Sequence, residues 1–148
     1  MEKTLEYWDR NMVTIIDATD ATLGRLSTNA AKRLLKGEEI AVVNSEKAII
    51  SGKKRKIKED YTQKRELGTY RKGPFYPRMP DKIVKRTIRG MIPYQKPHGR
   101  AAFKKLKCYI GIPKEFEGKK FEKIEEAKKD PVDFITVEEL SRFLGAKI

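Results

Sequence analysis

"MVTIIDATDATLGRLSTNAAKRLLKGEEIAVVN", residues 12–44, contains a complete folding unit. It opens with MVTIID (12–17), a short apolar, β-branched run that reads as a buried strand. Asp17, Thr19 and Asp20 then offer side-chain oxygens to cap a helix running to about Lys36, with Gly37 as its stop. Leu23, Leu26, Ala30 and Leu34 recur at helical spacing on one face, and Arg25, Asn29, Lys32 and Lys36 fall on the other. IAVVN (40–44) is a second buried strand. Strand, helix and strand in this order imply a βαβ unit with a right-handed crossover, and so a parallel sheet with covered faces.

Beyond this unit the chain turns basic. Only three residues separate Asn44 from Ala48, too few for another parallel crossover. Either Ser45 caps a helical turn, or 48–51 is a short strand with a different partner. A strongly basic helix is expected from 53 to about 65, beginning with Lys53, Lys54 and Arg55. GTYRKGPFYPRMP (68–80), with two glycines and three prolines, can only be an extended loop. It mixes Tyr70, Phe75 and Tyr76 with Arg71, Lys72 and Arg78. Its rings either anchor the loop to the body or meet unstacked bases.

PDKIVKRTIRGMI (80–92) is a clean amphipathic helix. At about 100° per residue, Ile83, Val84, Thr87, Ile88, Met91 and Ile92 cover one half, and Lys82, Lys85, Arg86 and Arg89 form a ridge opposite. Helices that pair their own surface charges intersperse Glu, and this ridge has none. Gly90 inside the helix costs about 1 kcal/mol relative to Ala, which predicts that another backbone approaches there. Across a Pro-Gly connector carrying Lys96, GRAAFKKLK (99–107) reads as a short helix with Arg100, Lys104 and Lys107 in one stripe and Ala102, Phe103 and Leu106 inward. Gly99 exposes amides at its start, a seat for phosphate. CYIGI (108–112) follows as a strand with Cys108, Ile110 and Ile112 on one side. The tail from Pro113 is mixed in charge and closes with TVEELSRFLG, where Thr136 and Glu139 form a capping box and Gly145 a stop.

The charge is unevenly placed. The chain has 34 Lys and Arg against 21 Asp and Glu, net +13. Between Lys53 and Lys107 lie 19 basic and 4 acidic residues, leaving 15 and 17 in the remainder. Such self-repulsion opposes compaction unless a polyanion balances it, which favours a nucleic acid over a merely solubilising surface. If about 6–10 cations neutralise phosphates, binding falls by orders of magnitude between low and moderate salt.

Chemistry finds few parts. One His and one Cys, ten positions apart, cannot build a zinc site. Cys108 reads as a small core residue, and His98 as a loop donor with no acid near it in sequence. SGKK (51–54) lacks the first glycine and the Ser or Thr of a phosphate-binding loop. The turn DATDATLGR has one glycine, so the dinucleotide fingerprint is missing. No apolar run approaches the roughly 20 residues of a membrane span. MEKTLEYWDRN at the start has acids where a secretion leader is basic and then apolar, so export is not expected.

RGMIP (89–93) followed by HGRAAFKKLKCYIG (98–111) closely resembles the signature region of the large-subunit ribosomal protein family called L-thirteen. LGRL (23–26) and VVNSEKAIISGKK (42–54) resemble its N-terminal half, so the likeness covers about 12–113. GPFYPRMPDKIVKRTIRGM (73–91) and the tail look like its archaeal and eukaryotic branch, and Cys108 stands where a valine is usual. The resemblance implies an α/β fold, a three-layer α/β/α single domain spanning 1–148. It would have a small, mainly parallel sheet of about four strands, a core over 12–113 and a helical extension over 114–148. It also implies a non-catalytic role on the cytoplasmic ribosome, binding large-subunit ribosomal RNA and supporting its folding during subunit assembly.

The partners it implies are that RNA and neighbouring ribosomal proteins, with no membrane, small-molecule substrate, cofactor or metal. The contact set carried over centres on Arg89, Gly99, Arg100, Lys104 and Lys107, with Lys53 and Lys54 beside the sheet. Composition and spacing add Arg55, Arg71, Lys72, Arg78, Lys82, Lys85, Arg86 and Lys96. Two alternatives use the same basic surface: a nucleotide-dependent RNA-modifying enzyme, and a free regulator of messenger RNA.

Overall fold

The structure is a computed structural model that describes residues 13–148. Met12, the expected first residue of the opening strand, and the start of the chain that argued against a leader lie outside the described residues. Strand β1 (Thr14–Asp17), helix α1 (Leu23–Leu35) and strand β2 (Ile40–Val43) form the βαβ unit, and the two strands run parallel from Thr14↔Ile40 to Asp17↔Val43. Leu23, Leu26, Ala30 and Leu34 are buried as their spacing requires. Gly37 ends α1 at φ +99°, with its N–H on the Leu34 carbonyl (3.0 Å) and that of Glu38 on Arg33 (3.2 Å). These two bonds satisfy carbonyls that the helix leaves open.

The start of α1 departs from expectation. Its N-cap is Thr22, which makes no side-chain capping bond. Ala21 and Thr22 are extended, bridging to Lys128 and Ile49, so the helix cannot begin earlier. Asp17 instead organises the turn after β1, accepting from the Thr19 amide (3.0 Å), the Thr19 hydroxyl (2.7 Å) and Asn44 Nδ2 (3.1 Å). Burial raises the Asp17 pKa, but these hydrogen bonds outweigh it and hold the carboxyl below its usual range.

Helix α2 (Lys54–Glu66), helix α3 (Pro80–Met91) and helix α4 (Pro97–Lys104) follow a 3-10 turn (Ser45–Lys47) and strand β3 (Ile49–Ser51). A helical turn and a short strand with a different partner thus follow one another over 45–51, but Ser45 lies inside the turn rather than capping it: the N-cap is Asn44, with no side-chain capping bond. Strand β4 (Leu106–Cys108) completes a three-stranded parallel sheet in the order β1-β2-β4. Strand β5 (Phe134–Thr136) pairs antiparallel with β3 as a separate ribbon, and helix α5 (Val137–Phe143) closes the chain. The fold is α/β with a small parallel sheet; the third and last strand of that sheet is β4, while β3 belongs to the ribbon.

The expected strand over 108–112 is displaced toward the N-terminus. Asn44 turns left-handed at φ 55°, which ends β2 and breaks the regular ladder after Cys108. Tyr109 N still donates to the Val42 carbonyl (2.8 Å), and the Tyr109 and Gly111 carbonyls accept from the amides of Ser45 (3.1 Å) and Asn44 (3.0 Å). Gly111 bends at φ +67°, and Ile110 and Ile112 stay exposed. The sheet side chains alternate faces. Ile16, Ile40, Val42 and Leu106 join α1, α3 and the tail residues Ile135, Val137 and Leu140 in one core. Ile15, Ala41 and Val43 pack on Phe116 on the other face. Each fully buried Leu or Ile contributes roughly 1.5–3 kcal/mol. The tail is thus built into the core.

Thr136 caps α5, accepting from the Glu139 amide at 3.2 Å. The Glu139 carboxylate pairs with Lys54 Nζ (3.2 Å) and ties the tail to α2. Gly145, at φ +94°, donates to the Arg142 carbonyl (3.1 Å), and Ala146 to that of Ser141 (2.9 Å), ending α5 as expected.

Candidate nucleic-acid interface

Helix α3 buries Ile83, Val84 and Ile88 and turns Lys82, Lys85, Arg86 and Arg89 outward. Met91, expected inward, is 42% exposed at the C-terminal end, where its sulfur accepts from the Thr28 hydroxyl at 3.5 Å. Three of the ridge cations rest on aromatic rings. Lys85 lies 5.2 Å from the Phe103 ring centre, Arg86 5.6 Å from Tyr76 and Arg89 4.1 Å from Tyr94. Tyr94 and Phe103 meet edge to face at 5.3 Å. A ring's negative face holds a cation in place without neutralising it. Among the described residues, no carboxylate pairs with any of the four. Asp81, the acid on the same helix, has a buried Oδ1 and does not reach the ridge as an ion-pair partner.

The other expected contacts divide. Lys54 pairs with Glu139 and Arg55 with Glu59 (3.0 Å), so both lose part of their field to their own chain. Lys53 is the exposed N-cap of α2. Lys96 is the exposed N-cap of α4, beside Arg89 in a cleft of about 540 Å³ at the C-terminal end of α3. Arg100 follows, donating to the carbonyls of Tyr94 (3.2 Å) and Gln95 (3.1 Å), so it shapes the connector as well as extending its charge. His98 sits in the first turn of α4, exposed, rather than in a loop.

The stripe of Arg100, Lys104 and Lys107 does not form. Helix α4 stops at Lys104 because Leu106 must enter the sheet, and Lys107 becomes a strand residue opposite Ala41. Its neighbours Leu106 and Cys108 pack toward α3, so strand alternation turns Lys107 to the other sheet face. There it borders a cleft with Lys104 and Tyr109. The two expected ridges do not flank one surface.

Gly90 corrects another expectation. A Cβ added there would meet nothing within 4 Å, and the residue is exposed in the wall of the Arg89 cleft. The close backbone approach is at Gly99, where a Cβ would overlap the Pro93 carbonyl. Sequence periodicity shows a glycine inside a helix but not what lies across from it.

In the loop 68–80, each reading of the rings holds for different residues. Tyr76 anchors, edge-on to Tyr61 at 5.7 Å, with its carbonyl accepting from Arg65 at 2.7 Å. Tyr70 is 83% and Phe75 65% exposed, and Arg71 donates to the Tyr70 hydroxyl at 3.2 Å. Lys72 and Arg78 are also exposed. Sequence reasoning misses Tyr94 and Arg65, and it places Phe103 inward without showing that the ring seats Lys85. Cys108 packs, partly buried, against the core, and burial pushes its thiol up to about 12, which makes it a poor nucleophile. Among the described residues no group of three or more potential metal ligands occurs, and no helix is long and apolar enough to cross a membrane.

A conserved-family profile described as Ribosomal protein L13 matches residues 11–115 of the chain. The chain belongs to the ribosomal protein L13 family. Three relatives, each named large ribosomal subunit protein uL13, illustrate the likeness. That of Methanopyrus kandleri is 50% identical over 137 residues, covering 89% of this chain and 86% of its own. That of Methanosphaera stadtmanae is 49% identical over 141 residues, covering 92% and 99%. That of Archaeoglobus fulgidus is 48% identical over 136 residues, covering 89% and 87%. Membership in the L13 family makes this a ribosomal protein with a structural role rather than an enzyme, in line with the archaeal character of its middle segment.

Proposed function

We propose that the protein is a structural constituent of the large ribosomal subunit in the cytoplasm and binds large-subunit ribosomal RNA through the outer face of α3 and the α3–α4 connector. The observation that carries this is the ridge Lys82, Lys85, Arg86 and Arg89, three of whose cations are seated on rings and none of which has a carboxylate partner among the described residues. Lys96, Arg100, Arg71, Lys72 and Arg78 extend this surface along the connector and loop, whereas Gly99, expected to expose amides as a phosphate seat, is buried against the Pro93 carbonyl and acts by packing. Lys53 and, on the opposite sheet face, Lys104 and Lys107 are secondary contacts, and Lys54 and Arg55 contribute least.

Phosphate contacts from such cations give affinity and register without reading sequence. Exposed Tyr70 and Phe75 offer stacking faces to unpaired bases. By holding RNA segments together, the surface supports their folding during subunit assembly, beside neighbouring ribosomal proteins. The chain works as one domain, its tail sharing the core that positions α3.

A filter-binding titration of a large-subunit RNA transcript at several salt concentrations tests the surface. Replacing Arg89 and Arg100 together by Ala should weaken binding roughly tenfold per lost charge-assisted contact. The slope of log K against log salt should flatten by about 1.5. An unchanged slope in a folded variant would remove the proposal. Sedimentation with large-subunit particles after a high-salt wash separates this role from that of a free messenger-RNA regulator.

A further inference from the structure

Toward the N-terminal end of α3, meeting the Arg89 cleft at Arg86, lies a second cleft of about 650 Å³. Four cations line it: Arg65 from α2, Arg78 from the loop, and Lys82 and Arg86 from the start of α3. Its floor includes Tyr76, whose carbonyl takes the Arg65 guanidinium, while Arg86 donates to the Phe75 carbonyl at 3.3 Å. Among the described residues none of the four pairs with a carboxylate. Partial burial and the nearness of Arg78 both lower the Arg65 pKa, the mark of a guanidinium short of negative charge.

Two further features shape the cleft. Helix α3 opens into this cleft at its N-terminus. Its N-cap, Met79, lines the cleft and supplies no side-chain cap, and Asp81 in the first turn offsets part of the positive helix end, so the cleft's field comes chiefly from the four cations. The tail forms another wall. Ala146 borders the cleft, and the Arg78 guanidinium lies 3.5 Å from where a Cβ on Gly145 would stand. The segment that β5 and α5 fix to the body therefore places Arg78.

We propose that this cleft seats two or more converging phosphates of the ribosomal RNA, held by Arg65, Arg78, Lys82 and Arg86, with the C-terminal extension as one wall. The inference rests on the RNA-binding reading above. A phosphodiester carries one negative charge, so a single one leaves four clustered cations mostly uncompensated. Phosphates crowd together where a strand bends sharply or two strands meet, and that is the RNA feature this cleft fits. The tail then has a role in binding, although it makes no part of the α3 ridge.

The test is the same salt titration on the full chain with Arg78→Gln, Arg65→Gln, the pair together, and Arg89→Ala as reference. Arg78→Gln carries the test alone, because its guanidinium makes no hydrogen bond among the described residues, whereas Arg65→Gln also frees the Tyr76 carbonyl. Each cleft substitution should flatten the slope by about 0.7–0.9 and the pair by about 1.5, at unchanged thermal midpoint for Arg78→Gln. Adding Arg89→Ala should flatten it further by an independent increment. Wild-type slopes in Arg78→Gln and in the pair, with Arg89→Ala still weakening binding, would overturn the cleft and leave the wider reading intact. Wild-type slopes in all variants would overturn both.

Discussion

Replacing Gly99 by Ala adds one methyl group in the first half of α4, a change that in an exposed helix stabilises by about 1 kcal/mol. Here the methyl would overlap the Pro93 carbonyl and come within 3.1 Å of the Tyr94 amide nitrogen. Both obstacles are backbone, so no side-chain rotation relieves the clash; the connector or the helix must shift by about an ångström. Overpacking of this kind costs about 1–3 kcal/mol. The shift also strains the bonds from Lys96 N to Pro93 O (3.0 Å) and from Arg100 to Tyr94 and Gln95, each worth about 1 kcal/mol or more. After the helical gain is subtracted, the net loss is about 2–4 kcal/mol. Urea unfolding should show a lower midpoint at constant m, and the thermal midpoint should drop by about 5–15 °C. RNA binding should fall with it, because the same shift displaces Arg100 and the Tyr94 ring beneath Arg89. A Gly99→Ala protein as stable as wild type would refute the close approach and the positioning role assigned to it.

Gly90→Ala should behave oppositely. The added Cβ meets nothing within the chain, so stability should rise by about 0.5–1 kcal/mol in urea unfolding, while binding to large-subunit RNA weakens several-fold by crowding the cleft wall. Leu140→Ala, a truncation of a fully buried tail residue, should cost about 2–5 kcal/mol in a single cooperative transition; a separate early transition would show that the tail unfolds alone. Cys108 should resist thiol reagents at pH 8 until the protein is unfolded. Because its folded pKa of about 12 exceeds the unfolded value near 8.5, the unfolded state loses its proton first. Stability is therefore complete below about pH 8.5 and declines as pH rises toward 12, a decline that Cys108→Ala should lessen in alkaline urea titrations. The Asp17 carboxyl runs the other way. Its folded pKa is depressed, so its contribution is present above the usual carboxylate range and is lost as pH falls through the folded value; Asp17→Ala should cost roughly 2 kcal/mol at neutral pH and flatten the acid limb.

Local patterning was enough to place the βαβ unit, the amphipathic α3 and the uncompensated charge of the middle segment. Each rests on short-range physics: β-branched runs favour strands, apolar residues at helical spacing bury one helical face, and four cations on a helix with a single acid, Asp81, outnumber their local partners. Those properties are written within windows of a dozen residues. The family likeness was legible for the same reason, in a short basic motif.

What the linear order could not carry was distance between remote segments. Whether Ile49–Ser51 found a partner depended on Phe134–Thr136, more than eighty residues away. The end of α4 depended on β2, against which Leu106 had to align, and this sent Lys107 to the far face of the sheet. Lys54 loses part of its field to Glu139 from the tail, and Gly99, not Gly90, meets a foreign backbone. Arg65 and Arg78 face one cleft because α2, the loop, the start of α3 and Ala146 after α5 come together there. A side chain's type and period fix which way it turns on its own element, whereas its neighbours across the core are set by the simultaneous burial of every apolar face, and it is those neighbours that leave a cation free or paired.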